Sequence, residues 1–220
     1  MAKLLHRELD QIKKRILSLG AMVEERVRMS LDAVENRDAD LARKIIDSDW
    51  EVDEVEVEIE EECLKVLALH QPVAVDLRFL IATIKINNDL ERIGDQAVNI
   101  AERVITVAKQ TAPDFIFNYQ VMGGKTEDML KMSLDALVNL DVNLAFKVVT
   151  LDDEVDAIKN DAYKKIKSAI KSTPESVGYL INLLLISRHL ERLADHATNI
   201  AEEVIYLIEG EIVRHGKYYK

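Results

Sequence analysis

Residues 90–102 read LERIGDQAVNIAE, and residues 190–202 read LERLADHATNIAE. Aligned from residues 88 and 188 over fifteen positions, the two stretches share nine identities, among them Leu90/Leu190, Glu91/Glu191, Arg92/Arg192, Asp95/Asp195 and Asn99/Asn199. This matching predicts a duplicated unit with one Glu-x-x-x-Asp spacing in each half. On a helix, where each residue advances by about 100°, Asn88, Asp95, Asn99 and Glu102 fall within roughly 80° of Glu91. Leu90, Ile93, Ala97, Ile100, Ala101 and Val104 gather on the opposite side. The stretch therefore reads as a helix with an apolar back that packs and an oxygen-rich front that must find something to face.

Outward from this motif the periodicity is helical throughout. Leu9, Ile12, Ile16, Leu19, Val23, Val27, Leu31 and Val34 fall in steps of three and four, predicting a long amphipathic helix over about 3–36. Asp38 is placed to cap a second helix over about 39–69, antiparallel to the first because the turn between them is short. Pro72 is suited to open the third, which carries the motif to about Ala108. Periodicity lapses around Pro113, and the pattern then repeats over about 118–138, 142–171 and 174–209, with Thr173 as cap and Pro174 as first helical residue of the last helix. Ser30-Leu31-Asp32-Ala33 matches Ser133-Leu134-Asp135-Ala136, an offset of 103, whereas the motif offset is 100. The second copy is thus three residues shorter before its third helix. Gly20 falls opposite Gly123 under the larger offset; a glycine inside a helix costs about 1 kcal/mol relative to alanine, which points to close helix packing or a kink. The organisation expected is all-α: residues 1–108 as a first antiparallel three-helix bundle, 109–117 as a linker, 118–220 as a second. The six long helices pack as one unit, and Arg214–Lys220 form a frayed basic tail.

Composition narrows the partners. A formal charge of -11 and a pI near 5.0 speak against nucleic acid and anionic lipid, both of which need a basic face. The lone Cys63 permits no intramolecular disulfide and reads as a small core residue. Neither a secretory signal nor a membrane span is apparent, so a cytoplasmic protein is expected, with any membrane association made through partners.

The acidic residues carry the functional question. In the second helix Asp49, Asp53, Glu56 and Glu60 form one stripe, without the interleaved Lys or Arg that usually supports an exposed acidic face. Under the 103 offset Asp152 and Asp156 correspond to Asp49 and Asp53. If the second and third helices are neighbours, Asp49 and Asp53 approach Glu91 and Asp95. Two carboxylates about 5 Å apart repel by roughly 1 kcal/mol in water and about 3 kcal/mol at an effective dielectric of about 20. Four together penalise folding unless a cation or a Lys or Arg neutralises them; for a cation, oxygen-only donors suit Mg²⁺, Ca²⁺, Mn²⁺ or iron, whereas zinc usually brings His or Cys. His196 points about 100° away from Asp195 and reads as a packing or surface residue. Arg92 and Arg192 are expected to pair with an acid on a neighbouring helix, or else to contact a ligand anion. Trp50 fits core, interface or cap equally.

Taken together, two three-helix units, each with Asp-x-x-x-Asp on the second helix (Asp49/Asp53, Asp152/Asp156) and Leu-Glu-Arg-x-x-Asp-x-Ala-x-Asn-Ile-Ala-Glu on the third, resemble the PhoU family. Asp76-Leu77-Arg78 after Pro72 fits as well, and the resemblance covers nearly the whole chain. It implies a compact PhoU-like unit and a cytoplasmic accessory protein of phosphate uptake and homeostasis. In that role the protein is a negative regulator of the phosphate regulon and an adaptor between the phosphate transporter ATPase subunit and a sensor histidine kinase, commonly as a homodimer. The resemblance further implies metal ions, iron among them and in multinuclear clusters, at Asp49, Asp53, Glu91, Asp95, Asp152, Asp156, Glu191 and Asp195. Lys159 stands where the first copy has Glu56, so the two sites are expected to differ, the second binding metal more weakly. No nucleophilic triad, phosphate-binding glycine loop or nucleotide fingerprint is apparent, so no enzyme activity is expected. The alternatives are a ferritin-like carboxylate oxidase, disfavoured because neither Glu91 nor Glu191 has a histidine three residues on, and a purely structural helical module with solvated acidic faces.

Overall fold

Every third or fourth residue of the first helix is apolar, and those residues disappear from solvent: Ile12, Ile16, Leu19, Val23 and Val27 are all buried. The computed structural model describes residues 2–113, 115 and 117–213. Among these the chain forms α1 (Ala2–Asn36), α2 (Ala39–Asp47), α3 (Trp50–His70), α4 (Ala74–Ala108), α5 (Tyr119–Asn139), α6 (Val142–Ser172) and α7 (Val177–Glu209), and no strand. α1 packs with α2, α3 and α4 into one antiparallel unit, and α5, α6 and α7 into a second. The motif helices α4 and α7 stand at the centre, packed along each other, and a single apolar core runs through both units. Each fully buried Leu or Ile of that core contributes on the order of 1.5–3 kcal/mol. Among the described residues, no helix is long and apolar enough to cross a membrane.

The two units meet through reciprocal contacts. Gly20 of α1 lies against Leu134 of α5, where a Cβ would come within 2.9 Å of the Leu134 side chain, and Gly123 of α5 meets Leu31 of α1 more tightly still. These two contacts exchange under the 103 offset, which identifies close packing, not a kink, as the reason for both glycines. The α4–α7 seam repeats the logic: His196 Nδ1 lies 2.8 Å from Asp89 Oδ1, and His189 Nδ1 lies 2.9 Å from Gln96 Oε1. Asp89 with His196 and His189 with Gln96 exchange under the offset of 100. His196 is thus a seam residue, as its helical angle indicated.

The turns also repeat. Arg37 and Leu140 take left-handed backbone conformations, and the next residue caps each helix, Asp38 accepting from Asp40 N and Leu41 N, Asp141 from Asn143 N and Leu144 N. Arg37 then ties the units together. Its guanidinium donates to the carbonyls of Val107 and Gln110 and lies 5.6 Å from the Tyr179 ring centroid.

Three local expectations are corrected. The second helix is not continuous: α2 ends at Asp47, and Ser48–Asp49 form a tight turn before α3. Pro72 does not open the third helix, because Gln71 takes a left-handed conformation, Val73 is extended and α4 begins at Ala74. Pro174 opens a short 3-10 turn, Pro174–Ser176, and α7 starts after it; the Thr173 hydroxyl turns back to donate to Ala169 O instead of capping forward. The tail at residues 214–220 and two linker positions, 114 and 116, lie outside the described residues.

Candidate functional site

The α4 motif divides as its helical angles require. Leu90, Ile93, Ala97, Ile100, Ala101 and Val104 are buried, while Glu91 and Asp95 are half-buried on the other side. α3 is held along this front by buried Asn87, which donates to both the backbone carbonyl and the Oε1 of Glu56, at 2.9 and 3.0 Å; Val52 lies over Gly94 with room for an ordinary Cβ contact, and the equivalent residue of the second repeat is Ala194. This approach brings Asp49, Asp53 and Glu56 to Glu91 and Asp95. The electrostatic record of that meeting is plain. Burial, then the charges of Asp53 and Asp95, hold the Asp49 carboxyl above the usual carboxylate range; burial and Asp95, with smaller effects of Asp53 and Glu56, raise Glu91. Glu56 is raised by burial and by Glu60 and Asp53. Glu91 Oε2 is buried without a hydrogen-bond donor. A carboxylate held this way is stabilised by any cation that can enter.

Two cationic side chains border the first face. Arg92 lies along its own helix, 3.5 Å from Glu91 Oε2 and 3.6 Å from Asp95 Oδ2; the expected partner on a neighbouring helix is not the one it takes. Arg26 of α1 pairs with Glu51, donates to the Ser48 carbonyl at 3.3 Å and tempers the Asp49 charge. Arg26 adds a second donor to the Ser48 carbonyl, which also accepts from Glu51 N at 3.2 Å within the α2–α3 turn. Sequence reasoning missed it. The available signal was its 103-offset counterpart, Met129, a change from charge to buried thioether.

In the second unit α6 runs unbroken past α7, bringing Asp152 and Asp156 to Glu191 and Asp195. Asp195 is pushed up to about 6 by burial and then by Glu191, Asp152 and Asp156; Asp152 is raised by burial and Asp156, against a hydrogen bond from the Thr198 hydroxyl. Here the cation is built in. Lys159 Nζ lies 2.9 Å from Glu191 Oε1 and 3.2 Å from Asp156 Oδ1, and hydrogen bonding to Glu191 raises the lysine further. Ser187 occupies the place of Asn87, and its hydroxyl donates within its own helix to Leu184 O, so no amide binds the α6 side chain at this level.

All eight sequence-predicted residues thus fall into two groups of four, one per unit. Among the described residues, no three His, Cys, Asp or Glu side chains converge closely enough around one point to hold a metal ion. The donor chemistry is nonetheless that of hard cations, and the first group has carboxylate excess where the second has a lysine. Cys63, buried with its thiol pushed up to about 12, belongs to the core.

The PhoU domain model matches residues 16–104 and again 120–204, once over each unit. The chain belongs to the PhoU family. Curated PhoU relatives include the phosphate-specific transport system accessory protein PhoU homolog of Pseudomonas aeruginosa, 35% identical over 94% of this chain and 86% of that protein. Another is the homolog of Aquifex aeolicus, 36% identical over 96% of each. Among solved PhoU structures, the crystal structure of PhoU from Pseudomonas aeruginosa superposes with a TM-score of 0.91 at 34% identity, covering 94% of this chain and 99% of that one. The phosphate transport system regulatory protein PhoU from Streptococcus pneumoniae superposes with a TM-score of 0.85 at 30% identity, over 96% and 100%. The two PhoU matches leave the linker between them and coincide with the two carboxylate groups, so each group is the front of one PhoU repeat.

Proposed function

We propose that this PhoU-family chain is a cytoplasmic accessory protein of phosphate-specific transport, a negative regulator of the phosphate response that acts as an adaptor. It joins the ATPase subunit of the phosphate importer to a sensor histidine kinase, as a homodimer and without catalysis of its own. The names of its relatives support the phosphate-transport assignment. The observation that carries the mechanism is the first carboxylate face, where Asp49, Asp53, Glu56, Glu91 and Asp95 meet across the α3–α4 contact with three of them held above their ordinary ionisation range.

A hard cation or iron bound there supplies the positive charge that Lys159 supplies in the second repeat. Asp49, Asp53, Glu91 and Asp95 would hold it, and Asp152, Asp156, Glu191 and Asp195 would hold a second, in competition with Lys159. The protein's own residues do the rest. Asn87 fixes Glu56 to α4, and Arg26 braces the α2–α3 break. Binding shifts a conformational equilibrium only through differential affinity for its states, and a face whose two edges repel without a cation provides that differential.

The test is capture of the importer ATPase and the kinase by this protein, with metal and with chelator, alongside metal analysis of protein purified without chelator. The adaptor reading expects capture of both partners; absence of capture under every condition rejects it. The metal reading expects the melting midpoint to rise with added metal, and a midpoint that no metal moves rejects that part alone.

A further inference from the structure

One helix of the bundle is apolar on two sides. α3 buries Val52, Ile59, Cys63 and Val66 against the core, yet on its outer side Trp50 is 60%, Val57 51% and Leu64 53% exposed. Steps of seven residues return to within about 20° of the same direction, so these three side chains form one line about 20 Å long down the helix. Single exposed apolar residues are ordinary; a heptad-spaced row of three is the pattern by which one helix receives another.

The second repeat shows that the fold does not require the row. Under the 103 offset, Trp50, Val57 and Leu64 correspond to Asp153, Asn160 and Lys167, all exposed on α6. α6 does the same structural work with a polar outer surface. The apolar row therefore serves something outside the bundle.

Its charge says what. Glu54 and Glu61 lie within the row and Glu60 beside it, and among the described residues none of the three has a Lys, Arg or His at ion-pair distance. Glu51, Glu58 and Glu62, on the side turned toward α1, are by contrast paired with Arg26 and Arg15. The surface is a strip of apolar contacts punctuated by acids, with Lys65, four residues after Glu61, the single Lys or Arg of α3. Its complement is a helix with apolar residues at heptad spacing flanked by Lys and Arg. A second copy fits less well: α3 against α3 opposes Glu54 and Glu61 to like charges, and α6 offers Lys164 and Lys167 but, among the described residues, only Tyr163 as an exposed large apolar side chain.

We propose that the outer face of α3, along Trp50, Val57 and Leu64, is the docking surface for a basic amphipathic helix of a partner protein. The inference rests on the adaptor reading and gives the chemistry of one of its contacts.

Trp50 is the only tryptophan of the chain, so its fluorescence reports on this face directly. The probe is a synthetic helical peptide with Leu at heptad positions and Lys and Arg on its flanks, titrated into the full chain; the control replaces Lys and Arg by Glu. The basic peptide should shift Trp50 emission to the blue and the acidic one should not. The double variant Val57→Asn/Leu64→Lys, which copies the residues of α6 at exposed positions, should keep the wild-type melting midpoint and weaken peptide binding at least tenfold. No emission shift, or equal affinity of wild type and variant, overturns the proposal. So does a sedimentation dimer of the free protein that the double variant abolishes, because the occupant is then a second copy. The same two proteins separate this inference from the reading beneath it. If wild type and variant capture the ATPase or kinase equally, the docking face is wrong and the adaptor stands; if wild type captures neither, the adaptor fails, whatever the peptide does.

Discussion

The two carboxylate faces carry the same Glu-x-x-x-Asp motif on the same kind of helix, and they manage its charge in opposite ways. In the second repeat Lys159 reaches across from α6 and bonds Glu191 and Asp156. In the first, the equivalent residue is another acid, Glu56, held by Asn87, and the nearest cations are Arg92 along the same helix and Arg26 at the α2–α3 break. One face is closed by its own lysine, the other left with an excess of carboxylate. A repeated motif therefore does not imply a repeated site: a single residue on the neighbouring helix decides whether a lysine pairs with the motif glutamate or another acid stands beside it.

Four changes can break or sharpen this contrast. The largest effect is expected from Lys159→Glu, which gives the second face the composition of the first. Losing a partly buried ion pair and adding a fifth acid should lower stability in chelator by about 2 kcal/mol, less than the 3–5 kcal/mol of a fully buried pair because Lys159 is partly solvated. Urea unfolding measures it, and on the metal reading added metal should recover part of the loss. Arg26→Met, which installs the residue found at position 129, removes a charge-assisted bond worth on the order of 1.5 kcal/mol and the cation nearest Asp49. Its loss of stability should be larger in chelator than in metal, and equal losses would separate Arg26 from the acidic face.

Glu56→Lys makes the reverse exchange. The new lysine gains Glu91 as Lys159 has Glu191 but gives up the Asn87 bond, so a net gain of at most about 1 kcal/mol is expected in chelator. The sharper readout is the metal-dependent rise in melting midpoint, which should vanish. The smallest effect concerns Asp195. Its folded ionisation point is about 6 against an ordinary 3.8, so the folded state holds a proton that the unfolded state has released. Its contribution to stability is present below about pH 4 and lost as pH rises through about 6. Asp195→Asn should remove that slope, leaving the variant slightly more stable than wild type at pH 7.5 in chelator and close to it at pH 4. Because solvent still reaches much of the Asp195 side chain and screens its charge, the difference should be a few tenths of a kcal/mol; urea midpoints at the two pH values check it.

Much of this was legible in the chain. The helical periods placed α1, α5 and α6 and the end of α4 closely, Asp38 caps its helix as its chemistry requires, and the matched glycines pointed to close packing or a kink. The α2–α3 break was not legible. The sequence around Ser48 and Asp49 contains no proline or glycine and keeps its apolar period, and the turn is held by Arg26, more than twenty residues away. Arg92 misled for a related reason: both an acid on its own helix and one on a neighbour were open to it, and the local pair formed. The starts of α4 and α7 were placed early, since a proline compatible with a first helical turn is equally compatible with the extended or 3-10 segment that precedes one.

What the sequence by itself determined is everything governed by the 3.6-residue period: which residues share a helix face, that the chain is a repeat, and that Glu91/Asp95 and Glu191/Asp195 front their helices. These are properties of one helix at a time. The tertiary structure alone decided what each front meets. Lys159 with Glu191, Arg26 with Ser48 and Asp89 with His196 depend on the rotation and translation of one helix against another, which are set by how packed side chains such as Leu31 and Leu134 interlock with Gly123 and Gly20. That register is fixed by the packing of the whole core, and no local pattern encodes it.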